Sequence, residues 1–138
     1  MERKIIIEAG EITGEALLAD SEAAKAIWDS LPIESTCSTW GEEVYFSIPV
    51  SLSLDETASE VVDMGDLGYW PPGTALCVFF GPTPASKGDE IRPASAVNIV
   101  GKILGDPMIF KKVSAGTKIR VKKGRIKDSN PRPSLLRE

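Results

Sequence analysis

The residues best suited to chemistry in this 138-residue chain are concentrated in residues 40–46 (WGEEVYF). On a strand, Glu43 and Tyr45 would share one face, while Val44 and Phe46 would share the other. A glutamate beside a tyrosine can serve as a proton donor or as a polar anchor in a cleft. The alternative is that Val44 and Phe46 face the core while Glu43 and Tyr45 face water. The sequence leaves both possibilities open.

Aromatic rings form a second candidate group. Tyr69 and Trp70 lie next to a Pro-Pro-Gly turn, and rings beside prolines can line a pocket for an apolar ligand. They can equally cap the end of a barrel. Phe79 and Phe80 end a strongly apolar segment, and on a strand one ring must face each side. One of them therefore lies in the core, and the other can reach a cleft.

Arg92 is the third candidate, because residues 1–116 contain only one other arginine, Arg3. It lies in a long loop, residues 81–95, with three prolines and two glycines, and such loops are often functional. Its guanidinium could hydrogen-bond a carbonyl or carboxylate of a ligand. The alternative is a surface ion pair with Asp89 or Glu90.

The chain contains no histidine, which excludes several classes of catalysis. Neither a Ser-His nor a Cys-His nucleophile can be built, nor any imidazole metal site. Cys37 and Cys77 are forty residues apart and form no CxxC pair, so we expect two small buried side chains. No metal-ligand spacing, P-loop or GxGxxG motif is present. We therefore predict no metal site and no cofactor.

The elements that must position these side chains are mostly strands. Helical spacing over residues 22–31 predicts one early helix, capped by Asp20 or Ser21, and Asp106-Pro107 predicts a short helix over 107–113. Apolar runs and alternation predict strands at 4–9, 15–19, 33–39, 44–48, 66–70, 75–80, 96–104 and 117–123. Many short strands with Gly/Pro turns indicate a mainly β barrel or sandwich.

Charge is unevenly distributed along the chain. Residues 117–138 hold eight Lys or Arg and only two acids, whereas the whole chain has a net charge of −4. We predict one domain over residues 1–123 and a flexible basic tail over 124–138. Such a tail could dock an acidic partner or nucleic acid, but it has no aromatic residue to stack on bases. Nucleic-acid binding is therefore not favoured.

The N-terminal segment MERKIIIEAGE is charged, and its apolar run is only three residues long. It predicts neither a signal peptide nor a membrane span, so we expect no membrane partner and a cytoplasmic location. The sequence does not indicate whether the chain forms dimers or other oligomers.

Taken in order, these segments resemble cyclophilins. They are more closely similar to a small group of bacterial and archaeal cyclophilin-like proteins without an assigned activity. The matching stretches are TWGEEVYFS (39–47), GDLGYWPPGTALCVFFGPTP (65–84) and PASAVNIVGKI (93–103). The resemblance implies a closed, eight-stranded antiparallel barrel with two short helices. It also implies a hydrophobic proline pocket on one face, with a catalytic arginine that weakens the prolyl amide bond.

The chain departs from true cyclophilins where that chemistry is located. Residues 39–50 contain two glutamates but no arginine and no glutamine, and the pocket histidine is absent. Phe80 is the only residue that the resemblance assigns to the cyclophilin pocket, where it would form the floor. A carboxylate in place of a donor reverses the electrostatics that prolyl isomerisation needs.

We therefore predict a barrel that binds a small molecule or a proline-containing peptide without ordinary prolyl isomerase activity. One alternative is a divergent peptidyl-prolyl cis-trans isomerase that uses Arg92. Another is an interaction protein that uses the basic tail. The predicted ligand-binding cleft comprises Trp40, Glu43, Tyr45, Tyr69, Trp70, Phe80 and Arg92, and no catalytic residue is assigned.

Overall fold

A computed structural model describes residues 3–124 of the chain. They form one antiparallel sheet with one α-helix, α1 (Glu22–Asp29), one 3-10 helix (Pro107–Lys112) and a 3-10 turn (Pro71–Gly73). The strands are β1 (Arg3–Ala9), β2 (Ile12–Leu18), β3 (Ile33–Thr36), β4 (Ser38–Thr39), β5 (Glu43–Ser47), β6 (Ala58–Ser59), β7 (Asp66–Trp70), β8 (Ala75–Phe79), β9 (Val97–Leu104) and β10 (Lys118–Lys123).

The sheet has ten strands in the order β3-β10-β1-β2-β9-β7-β8-β5-β4, with β6 paired to β9. The prediction of a mainly β protein is confirmed. The prediction of a closed eight-stranded barrel is not, because the hydrogen-bonded path is open between β3 and β4. These two end strands are consecutive in the chain and are separated only by Cys37. One segment, residues 33–39, therefore contributes both ends of the sheet.

Helix α1 follows the sequence signals closely. Ser21 is its N-cap, and the hydroxyl accepts a hydrogen bond from the Ala24 backbone N–H at 3.2 Å. Ala23, Ala24 and Ile27 form its buried face. The late helix is also present, as a 3-10 helix in which Asp106 accepts from the Met108 N–H at 3.0 Å.

Strand β8 is buried on both faces, as its apolar run predicts. Leu76 and Val78 face the main core, which also contains Val44 and Phe46 of β5. Cys77 and Phe79 face the other way, into a second apolar cluster. Val62, Ile91 and Val97 complete the buried part of that cluster, so residues outside the main core cover this side of the sheet.

Both cysteines are free and buried, which confirms their prediction as small buried side chains. Within residues 3–124, no helix is long and apolar enough to cross a membrane. The predicted flexible tail, apart from Gly124, lies outside the described residues.

Tyr69 fixes a loop to the main core. Its ring is 1% exposed, and its hydroxyl donates to the Val50 carbonyl at 2.6 Å and accepts from the Leu52 N–H at 3.1 Å. This pair of bonds holds residues 50–52 against the end of β7.

We predict that Tyr69→Phe lowers the free energy of unfolding by about 1–3 kcal/mol, because two backbone groups lose their partner. Urea unfolding monitored by circular dichroism measures the change. Tyr45→Phe, at a half-buried ring, is the matched control and should change stability by less than about 0.5 kcal/mol. Equal losses in the two variants would contradict this role of the Tyr69 hydroxyl.

Candidate functional site

A cavity of about 200 Å³ opens on the side of the sheet opposite the main core. It lies between β5, β7, β8, β9 and the loop that precedes β9. Its walls are mostly aromatic or aliphatic, with a single carboxyl group: they are formed by Trp40, Glu43, Tyr45, Trp70, Cys77, Pro93, Ala94 and Val97.

The hairpin from β4 to β5 places two of these residues opposite each other. The Trp40 N–H donates to the Glu43 carbonyl at 3.0 Å, which closes a two-residue turn. Gly41 occupies the first central position with φ +61°, a conformation that glycine adopts without strain. A side chain at Gly41 would also approach the Thr83 backbone to 2.8 Å. The turn and its packing against the loop therefore both require glycine.

Strand pairing brings the remaining wall residues to the same face. Glu43 pairs with Phe79 and Tyr45 with Cys77, so all four side chains point away from the main core. Trp70 lies on the same face at the end of β7, and its ring meets Tyr45 edge-on with the centroids 6.5 Å apart. The Trp70 indole N–H donates to the Ser95 hydroxyl at 2.7 Å.

The loop of residues 81–96 covers this face and is held in several places. The Glu42 N–H donates to the Pro82 carbonyl at 2.9 Å, and the Thr83 hydroxyl donates to the Arg92 carbonyl. The Ser86 hydroxyl accepts from the backbone N–H groups of Thr83 and Arg92 at 2.9 and 3.1 Å. Pro93 and Ala94 are thereby positioned at the edge of the cavity.

Glu43 is the unusual side chain of the site. The residue is 5% exposed, and its Oε1 atom has no hydrogen-bond partner within residues 3–124. Burial raises the pKa of Glu43 from 4.5 to about 7, and a hydrogen bond with the Cys77 thiol opposes part of that rise. Burial and the neighbouring Glu43 carboxyl raise the pKa of Cys77 well above its usual value. Cys77 is therefore a poor nucleophile here.

The structure brings together four of the seven residues predicted for the cleft: Trp40, Glu43, Tyr45 and Trp70. Val44 and Phe46 face the main core as the alternation predicts. Glu43, however, does not face water, because the covering loop buries it.

Tyr69, Phe80 and Arg92 do not line this cavity, which corrects their predicted place in the cleft. Tyr69 and Phe80 lie in the main core, since alternation along the strands gives the cavity side to Trp70 and Phe79 instead. The Arg92 guanidinium binds Glu90, with Nε at 2.7 Å and Nη2 at 3.3 Å from its carboxylate oxygens. The surface ion pair anticipated for Arg92 is therefore present with Glu90.

Sequence reasoning missed four wall residues: Cys77, Pro93, Ala94 and Val97. Cys77 could have been found from the alternation of β8, because it shares a face with Phe79. No local signal marks Pro93 and Ala94, because their position depends on how the loop folds back, and Val97 lies at the start of β9.

The family model described as "Cyclophilin-like" matches residues 1–122. The solution structure of the hypothetical protein AF2241 from Archaeoglobus fulgidus superposes with a TM-score of 0.77 and 40% sequence identity, covering 89% of this chain and 95% of that chain. Comparison with curated proteins finds no match. The family match covers most of the chain, and the chain belongs to the cyclophilin-like family.

Proposed function

We propose that this protein is a binding module whose cavity holds a small molecule, or one residue of a peptide, that carries a hydrogen-bond donor. The observation that carries the proposal is the carboxyl group of Glu43, which lines the cavity beside three aromatic rings and whose buried Oε1 has no hydrogen-bond partner within residues 3–124. A buried polar group normally has a partner, so an orphan on a cavity wall is well suited to a ligand.

The size of the cavity supports a small occupant. Pockets that hold drug-sized ligands span roughly 300–1,000 Å³. A cavity of about 200 Å³ is smaller and suits a group the size of one amino-acid side chain. The rings of Trp40, Tyr45 and Trp70 would supply the buried apolar area, and Glu43 would fix the orientation of the donor.

We also propose that the protein lacks ordinary prolyl isomerase activity. In cyclophilins, which this chain resembles, an arginine donates to the prolyl group and weakens the amide bond. The walls of this cavity contain a carboxyl group and no basic side chain, and Arg92 is held by Glu90. The cavity walls therefore offer no cationic group that could donate to the amide and lower the barrier of about 20 kcal/mol to its cis/trans rotation.

The binding proposal predicts that compact donors shift the indole N–H signals of Trp40 and Trp70 in two-dimensional NMR. Suitable probes are cyclohexanol, cyclohexylammonium and acetyl-proline amide. Trp28 is the internal control, because its ring packs under the Lys123 ammonium group at 4.8 Å and does not line the cavity. Glu43→Ala should weaken binding about tenfold or more, through loss of a hydrogen bond to a charged or polar donor. Trp70→Ala should also weaken it.

Glu42→Ala is the matched control, since Glu42 pairs with Lys111 at 3.6 Å and does not line the cavity. The site is wrong if none of the three probes shifts Trp40 or Trp70. It is equally wrong if Glu43→Ala and Trp70→Ala both leave the affinity untouched.

The proposed absence of isomerase activity predicts no acceleration in a protease-coupled assay on a succinyl-Ala-Ala-Pro-Phe anilide. At micromolar protein, the slow phase should keep its uncatalysed time constant, about tens to hundreds of seconds at 25 °C. A true cyclophilin in the same assay is the positive control. A slow-phase rate that rises in proportion to the concentration of this protein would overturn the proposal.

The buried carboxyl also predicts a pH-dependent stability. Because the pKa of Glu43 is raised to about 7 in the fold, the unfolded chain releases this proton first as the pH rises above 4.5. The free energy of unfolding therefore falls between pH 4.5 and just above 7, by about 3 kcal/mol in full. Glu43→Gln cannot ionise, so its stability advantage over the wild type should grow across this window. Urea unfolding at pH 4, 6 and 8 measures it, with Glu42→Gln as control. Parallel profiles for wild type and Glu43→Gln would show that Glu43 ionises freely.

A further inference from the structure

The walls of the cavity carry an acidic group without a basic one beside it. Glu43 is their only carboxyl group, and no lysine or arginine is among them. Arg92 directly precedes the wall residue Pro93 in the chain, but its guanidinium pairs with the Glu90 carboxylate. A Glu60 carboxylate oxygen also lies 4.0 Å from Arg92 Nη1. An ionised Glu43 thus faces the cavity without a counter-ion from the described residues.

The aromatic walls favour the same sign of ligand charge. Aromatic faces carry partial negative charge and attract cations, most strongly when the site is desolvated. The N–H of Trp70 is already engaged by Ser95, so the π-system of that ring is what remains for an occupant. Tyr45 and Trp70 meet at an interplanar angle of 74°, which gives the cavity two walls of different orientation.

We propose that the occupant is a small protonated amine, with an ammonium N–H donating to the Glu43 carboxylate and its carbon groups packed against Trp40, Tyr45 and Trp70. This inference rests on the proposed function and adds the chemical class of the ligand. A neutral donor would hydrogen-bond the carboxylate but would leave its charge uncompensated in the cavity. An anion would be repelled.

The ionisation of Glu43 makes such binding depend on pH. The titratable groups that face it are Tyr45 on its own strand and Cys77 on β8. The facing residues from β7, β9 and the loop are Trp70, Val97, Pro93 and Ala94, none of which titrates. A bound cation favours the charged carboxylate, so binding at pH 6 must release a proton that binding at pH 8 does not.

The test compares cyclohexylammonium with cyclohexanol, two donors of nearly the same shape that differ in charge. Both are titrated into the full-length protein while the Trp40 and Trp70 indole signals are followed. At pH 8 the amine should bind at least about tenfold more tightly than the alcohol, and its affinity should fall about tenfold at pH 6. The amine itself stays protonated throughout, as a lysine ammonium would. Glu43→Gln should remove both the preference and the pH dependence, whereas Glu42→Gln should retain both.

A free amine and a lysine side chain present the same chemistry, and Nα-acetyl-lysine amide separates them. Tighter binding of this probe than of cyclohexylammonium identifies a lysine of a peptide as the source, and the reverse identifies a free amine. If cyclohexanol binds as tightly as the amine and still depends on Trp70, the amine inference fails while the proposed function stands. If neither cyclohexylammonium nor cyclohexanol shifts Trp40 or Trp70, the amine inference fails, and if acetyl-proline amide shifts neither signal the proposed function fails as well.

Discussion

The burial of β8 on both faces is the constraint on which the rest of the structure depends. Its alternation sends Leu76 and Val78 into the main core, and this leaves Cys77 and Phe79 on the outer side of the sheet. Two apolar side chains there need cover, which the loop of residues 81–96 and its neighbours provide. Where that cover ends, between Pro93 and the β5 strand, the cavity remains. The candidate site is thus a product of how the second cluster is closed.

Glu43 sits at the edge of this apolar cluster at an energetic cost to the fold. Ionising it in place costs about 3 kcal/mol, a sizeable fraction of the 5–15 kcal/mol by which a typical domain is stable. Among the described residues, the only side-chain hydrogen bond that offsets this cost comes from the Cys77 thiol, a weak donor. No hydrogen bond within residues 3–124 engages Oε1 to offset this cost, and this is the observation that supports the proposed binding role of Glu43.

The sequence predicts the elements well because their signals are local. Helix α1, its Ser21 cap and the alternation of Val44 with Tyr45 all depend on neighbours within a few positions. Alternation groups Cys77 with Phe79 on one face of β8, but an all-apolar run does not indicate which face meets the main core, and Phe80, predicted for the cleft, lies in the main core. Tyr69 and Trp70 could have been separated, since adjacent strand residues face opposite sides. The burial of Glu43 and the pairing of Arg92 with Glu90 depend on the long loop, whose path no local pattern encodes.

Under the proposed function, the cavity presents a carboxyl group instead of a basic one, which is compatible with a cyclophilin-like fold because a fold does not dictate function. Assistance to amide rotation needs a fixed positive donor beside the prolyl nitrogen. A cation brought into this cavity would instead pair with Glu43, and its hydrogen bonds would be spent on the carboxylate rather than on an amide. Under this proposal, the carboxylate that disfavours isomerisation also favours holding a positively charged donor. Replacing Glu43 with glutamine removes the charge but does not supply the missing cation, so that variant should lose the preference for amines without gaining isomerase activity.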